Sequence, residues 1–143
     1  MNTEVVIEDK TVLFSFRGRI RRATFWDGGA ACLLYCLGET VLLLALTILL
    51  EVKTPQLWII GAVLAGPPLW IWLAVCAKRW HDLGLPGIMA LLNVVLPALP
   101  LVMVKTNPVP VAIASGAVAA ILILCLGLVR GTSGSNKFGE SSI

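Results

Sequence analysis

Three groups of residues in this 143-residue chain could do chemistry. The first is AKRWHDLGLPG, residues 77–87, with Lys78, Arg79, Asp82 and the single histidine, His81. A histidine titrates near neutrality, and a neighbouring carboxylate can orient it. His81 with Asp82 could therefore move a proton while arginines hold a phosphate. The second is Glu39, one carboxyl inside an otherwise uncharged run at 28–50. A charge at mid-membrane depth costs about 2.5–3.5 kcal/mol on insertion scales, so Glu39 should face other helices, with Tyr35 one turn away and Ser115 as a partner across the bundle. The third is FSFRGRIRRATFW, residues 14–26, where Arg17, Arg19, Arg21 and Arg22 alternate with Phe14, Phe16, Ile20, Phe25 and Trp26. Guanidinium groups among rings suit lipid phosphate or the acidic face of a protein partner. Nucleic acid fits poorly, because the group is one short segment with no binding fold around it.

Each group also has a plainer reading. Lys78 and Arg79 complement a helix C-terminus, Trp80 anchors a membrane interface, Asp82 caps a turn, Gly84 stops a helix and Pro86-Gly87 opens the next. On that reading only His81 lacks a structural role. Glu39 could be a protonated side chain that hydrogen-bonds a neighbouring helix as glue. Cys32, Cys36, Cys76 and Cys125 have no zinc-like spacing and behave as small hydrophobes, so no metal, cofactor or disulfide framework is expected.

The elements that position these groups follow from composition. Hydrophobic residues make up 58% of the chain and charged ones 13%, with a net charge of +3. One soluble core of this size cannot bury so much apolar surface. Apolar runs at 28–50, 57–77, 88–104 and 109–129 predict four membrane spans, the third being the shortest. Pro67 and Pro68 predict a kink in the second span, and Ala112, Gly116 and Ala120 predict close helix packing along the fourth. Residues 1–13 form a flexible lead-in, 14–140 the membrane domain, and 141–143 the tail end. Nine of the 11 Lys and Arg residues flank one side of these spans and two flank the other. Both termini and the 78–87 loop are therefore expected in the cytoplasm. The fold class is an all-α membrane protein with an interfacial Arg/aromatic N-terminal segment, Trp26 and Trp80 standing in the inner aromatic belt.

The three polar segments resemble one family. Phe16, Gly18, Arg19, Arg22, Phe25 and Trp26 fit the leading motif of the bacterial inner-membrane family known as domain of unknown function 805. Arg79, His81, Asp82, Gly84 and Gly87 are similar to its loop motif. Gly131, Thr132, Gly134, Asn136, Phe138 and Gly139 are similar to its C-terminal one. The resemblance implies a small polytopic bacterial inner-membrane protein with no established activity, and it gives the Gly- and Ser-rich tail a pattern. It also implies that Arg19, Arg22, Arg79, His81, Asp82 and Asn136 meet in one cytoplasmic polar cluster. There Asp82 would pair with an arginine, and the other cations and His81 would face an anion.

The leading expectation is an interaction or membrane-organising protein, not an enzyme, that contacts anionic lipid headgroups, a protein partner or its own copies. No catalytic residue is assigned. One alternative is a small oligomeric transporter or channel component using Glu39. A second is a membrane enzyme on a phosphorylated lipid with His81 as acid or base.

Overall fold

The computed structural model describes residues 14–102 and 108–139. The lead-in at 1–13, Lys105 and the tail end at 141–143 lie outside the described residues. α1, Arg22–Leu49, is 28 residues long. It begins a turn and a half before the uncharged run, because Phe25 and Gly28 in those first turns are buried against the rest of the chain. α2, Thr54–Leu64, opens with Pro55 in its first turn. There the missing N–H costs nothing, since the first N–H groups of a helix have no partner anyway. Ala65, at φ −68° and ψ −18°, passes the chain from α2 straight into α3, Gly66–Asp82. The interruption falls at Gly66-Pro67-Pro68, where the prolines remove two ladder donors.

α3 stops at Asp82, and Gly84 turns the chain with φ +79°, a left-handed conformation that favours glycine. Pro86 then leads into a 3-10 helix, Gly87–Leu91, and α4, Leu92–Val102, which carries Pro97 and Pro100. α5 is Pro108–Leu128.

This is an all-helical membrane protein. Among the described residues, α1, the joined α2–α3 segment and α5 are long and apolar enough to cross a membrane. The described part of the third expected span, five 3-10 residues and 11 α-helical residues, rises about 26 Å, and residues 103 and 104 of that span lie outside the described residues.

α1 packs along α3, and α4 along α5. The buried core sits at one end of the bundle, where Phe25 of α1 and Leu126 of α5 close on Val75, Cys76, Ala77 and Trp80 of α3. We call this the polar end, because the charged segments gather over it. Elsewhere the helices turn leucine, isoleucine and valine outward, as at Leu33, Leu49, Ile59 and Ile113. Such a surface is stable only against an apolar solvent.

Three expectations are corrected by this packing. Ile20 and Phe25 are buried in the protein core, not placed among acyl chains. Lys78, Arg79 and Trp80 are likewise buried, so Trp80 is no belt residue and the two cations are not a solvated flank. On α5 the buried face carries Ser115, Ala119 and Leu126, while Ala112, Gly116 and Ala120 face outward. Four-residue spacing marks a helix face; which face finds a neighbour depends on the helix's rotation in the bundle.

Gly28 marks the closest approach of α1 to α3, since a Cβ there would stand 2.9 Å from a Val75 methyl. Gly38, farther along α1, has nothing within 4 Å of such an atom. Thermal unfolding in detergent is expected to show Gly28→Ala destabilised by about 1–3 kcal/mol through overpacking. Gly38→Ala should be neutral or up to about 1 kcal/mol more stable through helix propensity.

Candidate functional site at the polar end

A helix leaves its last four carbonyls without intrahelical donors, and near the hydrocarbon edge such groups are costly. The end of α5 meets this need with side chains from two other helices. Arg79 Nε of α3 donates to the Leu126 carbonyl at 2.6 Å, and Trp26 Nε1 of α1 donates to Gly127 at 3.3 Å. Arg22 Nη1 donates to Leu128 at 3.3 Å, and Arg79 Nη2 donates to Val129. Arg79 thus caps α5, not its own helix, and its charge lies where the α5 macrodipole is negative. Two glycines permit the approach. A Cβ on Gly127 would strike the Trp26 indole, and one on Gly131 would strike the Asp82 carboxylate.

Asp82 holds the centre. Its side chain is fully buried and forms ion pairs with Arg79, one helical turn back, and with Arg19 of the leading segment at 2.8 Å. Arg79 also donates to the Ile20 carbonyl at 3.4 Å, which ties that segment to α3. Arg19 continues outward, donating to the carbonyls of Thr132 at 2.6 Å and Gly134 at 2.7 Å. The tail is therefore folded back over the loop. Thr132 donates from its backbone to the Asp82 carbonyl at 2.9 Å, and Asn136 Nδ2 donates to the His81 carbonyl at 2.9 Å. A small antiparallel bridge, Asn136 with Gly139, closes the turn. Gly134 and Gly139 adopt positive φ there.

His81 has a structural role after all. Its ring stacks on Phe138, with centroids 4.0 Å apart and planes 11° apart, and Nδ1 lies 3.1 Å from the Gly18 carbonyl. Its Nε2 faces Gly87, where a Cβ would come within 2.6 Å.

Leading segment, loop and tail are thus interlocked through the very positions that carry the three motifs. A family model described as Protein of unknown function (DUF805) matches residues 13–140. The chain belongs to that family. No curated protein and no solved structure matches it.

In this DUF805 chain the six cluster residues do not all point one way. Arg19, Arg79, Asp82 and Asn136 spend their polar atoms on one another and on backbone carbonyls, forming a latch. Arg22 stands beside the latch and faces a different feature. This is a pocket of about 570 Å³, lined by Arg21, Arg22, Arg79 and Arg130 with Asp82 and Gly131. The guanidinium groups of Arg21 and Arg130 hold no hydrogen bond among the described residues. His81 is not part of this lining; it borders an apolar recess with Phe16, Ala77 and Ile88 instead.

Glu39 lies far from the latch, half-buried between α1 and α2 beside Gly61. Ser115 is not its partner, since among the described residues the Ser115 hydroxyl is buried without a hydrogen bond. Among the described residues, no three of His, Cys, Asp and Glu group as metal ligands.

Arg21, one of the leading arginines suited to phosphate, joins the site with Arg130, Trp26 and Phe138, three residues outside the expected cluster. Arg130 follows α5 directly, and its proximity to Arg21 depends on how the two helix ends meet. Phe138 sits inside the tail motif but carries no charge to draw notice.

The latch predicts an asymmetry. Asp82→Asn leaves two buried arginines facing each other, with an expected loss of about 3–5 kcal/mol in detergent unfolding. Arg79→Lys should cost nearly as much, because an ammonium cannot reach two α5 carbonyls and a carboxylate in one plane. Arg21→Ala should leave the melting temperature unchanged within about 0.5 kcal/mol equivalent.

Proposed function

We propose that this protein works by interaction in the bacterial inner membrane, its arginine pocket binding the phosphate headgroup of an anionic lipid. One observation carries the reading. Four arginines line a single pocket in which the one carboxylate among the described residues, Asp82, is already shared with Arg19 and Arg79. The excess positive charge of Arg21, Arg22 and Arg130 calls for an anion, and a phosphate offers oxygens to several guanidinium forks at once. The pocket opens beside the end of α1, where lipid phosphates of the near leaflet would lie.

On this reading the chain crosses the membrane four times, with both termini in the cytoplasm. The Lys and Arg distribution supports that orientation. Asp82 at the end of α3 is bonded to Thr132 just beyond α5, which supports reading α4 and α5 as an out-and-back pair that returns to the side it left. α4 is then the outward limb and α5 the return. Reporter fusions after residues 143 and 53 should report the cytoplasm and the opposite side respectively; the reverse pattern would overturn the orientation.

Native mass spectrometry of protein released from nanodiscs containing phosphatidylglycerol and phosphatidylethanolamine tests the pocket. Wild type should retain about one phosphatidylglycerol, and the Arg21→Ala, Arg130→Ala double variant should lose it, with retention falling about tenfold or more. Added inorganic phosphate that displaces the lipid at millimolar concentration would identify the headgroup as the recognised part. Equal retention by both proteins would remove the pocket from consideration.

A further inference from the structure

A second concave surface lies between α1 and α2, toward the end opposite the latch. It is a groove of about 550 Å³, with Glu39 and Leu43 on one wall and Thr54, Leu57, Trp58 and Gly61 on the other. Its surface is almost entirely apolar apart from the Glu39 carboxylate. Among the described residues, that carboxylate has no hydrogen bond or ion pair and no lysine or arginine lines the groove. Gly61 gives it room: a Cβ there would stand 3.3 Å from Leu43 and 3.8 Å from Glu39 Oε1. Among the described residues, none of the most apolar stretch of α1 is buried.

One anionic group among apolar walls selects its counterpart by charge and hydration. A small metal ion needs several oxygen ligands to replace its water shell, and one carboxylate cannot supply them. A cation whose charge is spread over or shielded by hydrocarbon loses little hydration on entry. It gains a Coulomb interaction that the low-dielectric surroundings strengthen. Trp58, 75% exposed at the groove, adds an aromatic face for the cation. The volume lies within the usual range for small organic ligands, about 300–1,000 Å³. Thr54 is the first residue of α2, so the groove runs about 16 Å from Ala65 to the helix end, where a ligand can enter from the water side.

We propose that the α1–α2 groove is a binding site for a lipophilic monocation, with Glu39 as the counter-charge and Trp58 as its aromatic wall. The site is separate from the arginine pocket and does not depend on the reading of that pocket.

Tetraphenylphosphonium and tetraphenylborate, of nearly equal shape and opposite charge, provide the test. Each would be titrated by equilibrium dialysis into protein-loaded nanodiscs, with empty nanodiscs correcting for partition into lipid. Wild type should bind the phosphonium saturably at one per chain and show no saturable binding of the borate. Glu39→Gln should weaken the phosphonium by at least about tenfold. Glu39 has no partner to lose, so this variant should keep the wild-type melting temperature and its lipid at the polar end. Gly61→Leu, which fills the groove and leaves the charge in place, should abolish binding independently. Equal phosphonium binding by wild type and Glu39→Gln, or equal saturation by the borate, would overturn the proposal. So would a wild-type dimer closed across Trp58 that excludes the phosphonium, which would make a second copy of the chain the occupant.

Discussion

The polar end is built around one constraint: the last turn of α5 presents carbonyls that its own helix cannot satisfy. Arg79 answers it by reaching across from α3, and Asp82 makes a buried arginine tolerable there. A buried pair of this kind is seldom a large source of stability, because desolvation offsets much of the attraction. Its worth lies in geometry. Only a planar, multiply donating cation can meet two α5 carbonyls, the Ile20 carbonyl and a carboxylate together, and that fixes how α3, α5 and the leading segment meet. Arg19 then extends the arrangement to the tail, which has too little apolar surface to hold itself in place.

The rest of the molecule follows from where that tightness stops. Around the latch, α1 approaches α3 and α5 closely enough that Gly28 and Gly127 cannot carry a side chain without a shift. Toward the other end, beyond the break at Gly66-Pro67-Pro68, the α1–α2 groove opens beside Glu39. One end is thus closely packed and polar, and the other is apolar and accessible. The two concavities inherit these characters: a cationic pocket beside the latch and an anionic groove within the apolar walls.

Much of the architecture was legible in the chain. Apolar runs separated by charge located the helices, the paired prolines located the break, and Gly84 with Pro86-Gly87 located the turn after α3. The tail was legible only as a motif, since Gly and Ser composition alone describes a disordered end. Helix rotation was not legible. Ala112, Gly116 and Ala120 suit close packing as well as Ser115 and Ala119 do, and the neighbours available to α5 chose the second face. Nor could residue type separate a solvated arginine from a capping one. Arg79 and Arg130 look alike in sequence, yet one is buried in carbonyls and the other lines an open pocket.

By itself the sequence determined a helical membrane chain, because apolar length and charge content are properties of composition and order that no packing can reverse. It also determined that three polar segments matter together, through their motifs. Only the tertiary structure decided what each polar side chain does. A guanidinium or an imidazole takes its role from the atoms within about 3 Å of it, at the distances hydrogen bonds require. Apart from the Arg79–Asp82 pair itself, the atoms at Asp82, His81 and Arg79 come from residues 47 to 63 positions away in the chain.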